Sequence, residues 1–407
     1  MKIAYLLTSF PVLSQTFVLN QITGLKDLGF DVDIFSAYQS NGCKVHEEVK
    51  KYRLLDHTVY YNTIPKNKII RLLKAYRLVL SGLNKKPAVV FNSLNPFKYG
   101  RQAVNLNLLY KAIPFTRKKY DIIHCHFGLN GNIAIFFKEL GAIEGKIVTT
   151  FHGFDIRLTE QNREIYRELF RKGDLFIAIS SYNYDKLIEL GADKNKIIYH
   201  PVGIDLEKFT PKENITEHQT EQFKLLTVAR LVNEKGLHYA IKAIKRVKKI
   251  HPDIDIEYNI IGDGYLKKEL DELIHNLQLQ GCVKLLGAKE QDEIITFLRN
   301  SHIFILPSIA EALPVALMEA HAMELPIVAT DVGSVKQIVL DGESGYVVKK
   351  GDDEALADKI SLLLKNPEKL RDMGKAGRRH IEQHYNVRKL NSKLIQIFKN
   401  LLNKNRS

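Results

Sequence analysis

Short apolar runs alternate along this chain with longer stretches in which apolar residues recur every three or four positions. Runs at residues 2–8, 32–35, 120–126, 146–151, 175–179 and 196–199 read as buried strands. Between them, helical periodicity runs to about residue 28, over 131–140 and over 181–190; Ser180-Ser181 opens the last of these and Gly191 follows it. The turn-rich Pro201-Val202-Gly203-Ile204-Asp205 and the polar, aperiodic residues 210–222 interrupt the pattern. It then starts over. Strands are expected at 223–228, 259–261, 283–286, 303–306 and 346–348, with a helix to about 277 and another after Pro314. Helices at about 353–364, 368–383 and 387–403 close the chain. Strand–loop–helix–strand, twice over, predicts an α/β protein of two doubly wound sheets. Such sheets bind ligands at the carboxyl ends of their strands.

Composition agrees with that division. At 407 residues and 45% hydrophobic content the chain suits two globular cores. No apolar run reaches the roughly 18 residues of a spanning helix. Residues 1–7, cut off by Pro11, are too short for a signal peptide and read as the first strand. Cys43, Cys125 and Cys282 form neither a metal spacing nor a disulfide framework, which suits a reducing cytoplasm.

Charge changes the picture further. The net charge is +14, and it is uneven: residues 1–203 hold 29 Lys and Arg against 17 Asp and Glu, residues 204–407 hold 31 against 29. Residues 57–120 contain 13 basic residues and no acid. Within them, Ile69, Ile70, Leu72, Leu73, Tyr76, Leu78, Val79 and Leu80 fit an apolar helical face, with Lys68, Arg71, Lys74 and Arg77 on other faces. A packed helix with snorkelling cations has this pattern, and so does a helix lying on a membrane. The acid-free context favours contact with an anionic membrane surface.

Candidate chemistry gathers where strands end. After the strand at 303–306, Glu311 lies in a loop and Glu319 on an otherwise apolar helix that Pro314 opens. A carboxylate on a buried helix is costly unless it is paired. The helix N-terminus offers unpaired N–H groups to an anion. The two acids, with seven residues between them and followed by Pro326-Ile327-Val328-Ala329-Thr330, resemble the E-x7-E motif of the retaining GT-B glycosyltransferases of family 4. Ala312 and Glu324 stand where that family usually has glycine.

The resemblance extends over nearly the whole chain. Ser9-Phe10-Pro11-Val12-Leu13-Ser14-Gln15-Thr16 is similar to the opening loop of the family's exopolysaccharide and colanic-acid-type members, with Gln15 for the usual Glu. It implies that Ser14 lies near the donor phosphate. His152-Gly153-Phe154-Asp155 resembles the family's His-Gly-x-Asp, whose histidine faces the donor sugar. Arg230 and Lys235 match its Arg-x4-Lys, a fork and a point charge suited to a diphosphate. Gly262-Asp263-Gly264 resembles the Gly-x-Gly turn where backbone approaches the nucleotide. Gly287 and Ala288 would meet the nucleobase, and Leu313 and Pro314 would border the donor.

His124 and His126 alternate onto one strand face and, with Asp155, are candidates on the acceptor side. No third ligand with sensible spacing makes the histidines a metal site. Asp31-Val32-Asp33 and Asp253-Ile254-Asp255 read as edge charges.

The resemblance implies a GT-B architecture, with two Rossmann-like domains facing across a cleft. Residues 1–204 would form the acceptor side and residues 205–384 the nucleotide-sugar side, with a helix at about 385–407 packing back on the first domain. It implies transfer of a hexose, with retention, from a UDP- or GDP-linked sugar to a lipid-linked or oligosaccharide acceptor. Glu311, His152, Arg230 and Lys235 would be catalytic and Glu319 would hold the ribose. No metal or other cofactor is expected, and no nucleic acid. The expected location is cytoplasmic, peripheral at the inner face of the membrane. A basic nucleic-acid-binding protein and a GT-B sugar phosphorylase are the alternatives. Neither a nucleic-acid recognition motif nor a Schiff-base lysine context is present.

Overall fold

The computed structural model describes residues 1–12, 15–40, 46–211 and 222–403. It divides into unit 1, Met1–Val202 with Arg388–Ser407, and unit 2, Gly203–Val387.

Unit 1 carries a parallel sheet of β1 (Lys2–Phe10), β2 (Asp31–Gln39), β3 (Thr58–Tyr60), β4 (Ile122–His126), β5 (Lys146–Phe151), β6 (Leu175–Ala178) and β7 (Ile197–Tyr199). Their spatial order is β3-β2-β1-β4-β5-β6-β7. Unit 2 carries β8 (Gln222–Val228), β9 (Asp255–Ile261), β10 (Val283–Leu285), β11 (Ile303–Leu306), β12 (Ile327–Thr330) and β13 (Gly345–Val348). Their order, β10-β9-β8-β11-β12-β13, repeats the same winding. In each sheet the first strand sits in the middle and the order reverses beside it. That reversal separates the loops at the carboxyl ends and opens a crevice for a ligand. In unit 1 the loops after β1 and β4 flank it; in unit 2, those after β8 and β11.

Alternation along β1 explains how both faces of the first sheet are covered. Ile3, Tyr5 and Leu7 pack with Ile22 and Leu25 of the Thr16–Asp27 helix and with Leu394 and Phe398 of the Val387–Asn403 helix. Ala4 and Leu6 join Phe115 and Phe137 on the other face. The Val387–Asn403 helix buries Leu390, Leu394 and Phe398 at four-residue spacing, a single stripe turned to unit 1. A buried Phe or Leu contributes roughly 1.5–3 kcal/mol, so this helix is part of the unit 1 core. Asn391 fixes its height. Its amide donates to Asn20 O at 3.2 Å, and a Cβ at Gly24 would lie 1.9 Å from its Nδ2.

Two expectations need correction. Asp31 is an exposed charge at the start of β2, but Asp33 is buried. Its carboxylate accepts from Lys118 Nζ and from the Tyr120 hydroxyl, each at 2.7 Å. Burial alone would raise this carboxyl; the two hydrogen bonds outweigh it and hold the group below the usual carboxylate range. His152 and Asp155 do not sit in an open loop after β5. They cap and begin a helix, Gly153–Gln161.

Candidate active site

In unit 2, backbone contacts bring two loops together. Asn233–Lys235 forms a single 3-10 turn, and Gly236 follows in the left-handed region at φ 57°. A Cβ there would lie 2.3 Å from Pro307 O, so glycine is what allows the loop after β8 to rest on the loop after β11. Glu234 O accepts from Ile309 N at 2.9 Å and from Ala310 N at 3.3 Å. Lys235 and Glu311 meet as a result. Lys235 Nζ lies 2.5 Å from Glu311 Oε1, and Ser308 Oγ donates to the same oxygen at 2.7 Å. Behind them, a Cβ at Gly333 would fall 1.9 Å from Glu311 O, so the loop after β12 backs the main chain of Glu311 directly.

Arg230 differs from Lys235. It is exposed, and among the described residues its guanidinium has neither an ion pair nor a hydrogen-bond partner. Its loop is gripped from the side by the Gly-x-Gly turn. A Cβ at Gly262 would meet Ala229 O at 1.8 Å, and one at Gly264 would meet Leu231 O at 2.3 Å. Leu231 N donates to Asp263 O, and Gly262 N to Gly287 O, each at 2.9 Å. The close approach these glycines permit is thus to the Arg230 loop. Gly287 and Ala288 lie alongside, just past β10.

Leu313 and Pro314 are buried, and Pro314 is the N-cap of the Val315–Ala322 helix without a side-chain hydrogen bond. The first-turn N–H groups of that helix therefore lack a side-chain cap. Glu319, a turn further on, is half-buried. Burial pushes its carboxyl up to about 7, with Lys208 pulling the other way. The helix ends in a Schellman turn: Leu325 N donates to Ala320 O and Glu324 N to His321 O, both at 3.0 Å. Glu324 occupies its left-handed position at φ 60°, which is why glycine suits that place.

Unit 1 assembles a different cluster. His124 and His126 share the β4 face that Tyr5 packs on. His124 Nε2 contacts Thr150 Oγ1 at 2.8 Å. His126 links two elements. Its Nε2 lies 3.0 Å from Gln21 Oε1 and its Nδ1 3.1 Å from His152 Nε2. The Tyr5 hydroxyl also donates to Gln21 Oε1, at 2.9 Å. Since that oxygen accepts, His126 carries its proton on Nε2 and accepts on Nδ1 from His152 Nε2–H. His152 Nδ1 is then left to accept the N–H of Asp155 in the capping box. Both nitrogens of His152 are occupied, and its ring packs between Phe17 and Phe127. Burial holds His124 and His152 down at about 3 and His126 well below the ordinary value, so all three are neutral near pH 7.

Asp155 is a clamp on these loops. Its carboxylate accepts from Gly128 N at 2.9 Å, His152 N at 2.7 Å and Ile156 N at 3.2 Å. Burial nevertheless pushes it up to about 7. Gly128 must be glycine, because a Cβ would lie 2.5 Å from the Tyr166 ring.

Gln21, Tyr5, Phe17 and Ser308 were not singled out from the sequence. Phe17 and Gln21 share a helix face at four-residue spacing, the one signal that could have found them. Ser14 and Cys43 lie outside the described residues. Among the described residues no group of His, Cys, Asp or Glu is arranged to hold a metal ion.

The comparisons with known proteins fit this geometry. Residues 14–208 match the model of Glycosyltransferase Family 4, and residues 208–380 that of Glycosyl transferases group 1. The putative colanic acid biosynthesis glycosyltransferase WcaL of Escherichia coli is 32% identical over 98% of this chain and 100% of its own length. The amylovoran biosynthesis glycosyltransferase AmsK of Erwinia amylovora is 34% identical over the same shares, 98% and 100%. The crystal structure of Anabaena HepE in complex with UDP aligns with TM-score 0.72 at 16% identity, covering 98% of this chain and 100% of that one. That likeness defines a GT-B fold. The chain belongs to the family 4, group 1 glycosyltransferases. Its whole-length relatives carry names of exopolysaccharide synthesis, and neither the nucleic-acid-binding nor the phosphorylase alternative is favoured.

Proposed function

We propose that this glycosyltransferase moves a hexose, with retention of configuration, from a UDP- or GDP-linked sugar to a lipid-linked or oligosaccharide acceptor of exopolysaccharide or surface-glycan synthesis. The observation that carries the reading is the convergence of Arg230, the Lys235–Glu311 pair and the Val315–Ala322 helix N-terminus at the switch point of the second sheet. Unit 2 holds the donor. Its diphosphate takes Arg230, whose guanidinium has no partner among the described residues, and Lys235, with the helix N–H groups adding to them. Glu311 accepts from hydroxyls of the donor sugar, and Glu319 from the ribose. Unit 1 serves the acceptor.

In the reaction the bond from C1 to the diphosphate oxygen breaks and the acceptor oxygen bonds to C1 on the same face. The acceptor proton passes to the leaving phosphate oxygen. Arg230 and Lys235 stabilise the charge that grows there, so the step needs no metal. His152 is kept neutral and fixed by His126. A sugar hydroxyl reaching its ring nitrogens would compete with His126 or with the Asp155 N–H. The UDP bound by HepE supports a uridine donor, and the names of the whole-length relatives support the acceptor class. The enzyme works at the cytoplasmic face of the membrane.

The test is mass spectrometry of slow hydrolysis across a panel of UDP- and GDP-sugars, then NMR of the transferred anomer. One donor consumed, with its anomeric configuration kept, is expected. No donor consumed overturns the reading, and an inverted product overturns retention.

A further inference from the structure

The Lys68–Lys85 helix is packed the wrong way round for an ordinary surface helix. Its inner side combines small and polar residues with two half-buried apolar ones, Leu78 and Val79, which pack on the unit 1 core. Ala75 and Gly82 are its buried residues, and Gly82 lets the helix settle on Val90 and Ile113, whose side chains a Cβ would meet at 2.6 and 2.7 Å. Arg71 belongs to the inner side too. Its Nε donates to Pro65 O at 2.9 Å, and its own carbonyl accepts from the Tyr110 hydroxyl at 2.6 Å.

Most of the large apolar residues point outward. Ile69, Leu72, Leu73, Tyr76, Leu80 and Leu83 recur at three- and four-residue spacing and are all exposed, Ile69 by 69% and Leu73 by 66%. The helix thus has two apolar rows, and the protein covers only the one that holds Ala75, Leu78, Val79 and Gly82. The short helices that follow in sequence expose Phe91, Phe97 and Val104 as well, Phe97 by 100%.

Cations flank the stripe. Lys68, Lys74, Arg77 and Lys85 are exposed, and none forms an ion pair among the described residues. There is no acid anywhere between residues 57 and 120. An exposed apolar stripe of this length has an occupant. A second copy would set cation against cation across the contact. An anionic bilayer satisfies both features: acyl chains take the stripe and lipid headgroups take the lysines and arginine.

We propose that the Lys68–Lys85 helix is a membrane-inserting element, lying in the plane of an anionic leaflet with the row from Ile69 to Leu83 sunk roughly 5–10 Å below the headgroups. Arg71 takes no part in it. The choice of a bilayer rests partly on the lipid-linked acceptor proposed above; the helix itself is independent of the transfer chemistry.

The chain contains no tryptophan, so one introduced residue is a clean reporter. Leu73→Trp places it in the stripe. Ile250→Trp places it at an exposed position of unit 2. Each protein is titrated with phosphatidylglycerol-containing vesicles, with pure phosphatidylcholine vesicles, and with acyl-brominated lipid as quencher. Expected is a blue shift and quenching for Leu73→Trp alone, on anionic vesicles. A Leu72→Ser/Leu73→Ser/Leu80→Ser variant should float with those vesicles at least about tenfold less. A Lys68→Glu/Lys74→Glu/Arg77→Glu variant should lose the preference for anionic lipid.

No shift on any vesicle overturns the proposal. So does equal binding to neutral vesicles, or a shift without lipid accompanied by a doubled mass in light scattering, which would assign the stripe to a second copy. Donor hydrolysis is measured on every variant. Stripe variants that hydrolyse normally but do not float support the insertion reading. A wild type that floats but consumes no donor refutes the enzyme reading and leaves this one standing.

Discussion

The two sheets share one winding, yet their carboxyl ends are finished in opposite ways. Unit 1 ends in rings and neutral groups that satisfy one another: Tyr5, Gln21, His126 and His152 form one chain of hydrogen bonds, and Asp155 is spent on backbone amides. Unit 2 ends in charge that is incompletely balanced: Lys235 meets Glu311, Arg230 meets no carboxylate among the described residues, and the helix at Val315 has no side-chain cap. A network closed on itself holds shape. One left open is ready for an anion. On the proposed reading the same fold would supply a rigid support in one unit and a receptor in the other.

Several substitutions would break that contrast. The largest effect is expected in unit 2. Arg230→Ala and Lys235→Ala should each lower turnover by at least about tenfold, because charge-assisted contacts strengthen as the diphosphate leaves. Glu311→Gln should impair transfer while the melting temperature holds. Wild-type rates in both cation variants would remove them from the reaction. A Glu311→Gln protein that melts, with its folded fraction fully active, would make that carboxylate a structural clamp.

The reciprocal change belongs to unit 1. His126→Leu strands the Nε2–H of His152 without an acceptor and should cost about 1–3 kcal/mol of stability. Chemical denaturation measures the loss, and the donor KM should not move. A raised donor KM with unchanged stability would mean that the unit 1 network is a receptor as well.

Glu319 gives a pH test. Its folded pKa is raised, from 4.5 to about 7, so the folded state holds this proton more tightly than the unfolded chain. Its contribution to stability is therefore full below about 4.5 and is lost as pH rises to about 7. Glu319→Gln should melt several degrees above wild type at pH 8 and show little gain at pH 4. The wild-type KM for the donor should rise as pH falls below about 7, where the carboxylate protonates, and the variant should lose that dependence. An identical pH profile in both proteins would take Glu319 out of donor binding. The smallest effect is the most local: Glu324→Gly should stabilise by about 1 kcal/mol, by relieving a left-handed residue. Denaturant midpoints would show it.

Much of the frame was legible because strand and helix periods are local. Strands at 303–306 and 146–151 coincide with β11 and β5, and Glu311 and Glu319 announced themselves by spacing and by the turns around them. What stayed hidden depends on contacts distant in sequence. Asp33 looked like an edge charge because Lys118 and Tyr120, its partners, come 85 and 87 residues later. The Lys235–Glu311 contact spans 76 residues. Periodicity showed apolar residues at 69–80 but not which of them face outward, since Ala75 and Gly82, which pack inward beside Leu78 and Val79, weigh little in any hydrophobic pattern. Arg71 was grouped with its neighbouring cations for the same reason; only the fold shows its guanidinium turned to Pro65.

The Val387–Asn403 helix also sets an order of events. Unit 1 is discontinuous, so residues 1–202 leave the ribosome well before the segment that covers Ile3, Tyr5 and His124 exists. Until all of unit 2 has been synthesised, that face of the first sheet has the Thr16–Asp27 helix but lacks Leu394, Ile395 and Phe398. The nascent protein therefore carries a partly uncovered apolar surface while unit 2 is made, a period in which domains otherwise fold one after another. Its first unit is completed only by a segment that follows the second.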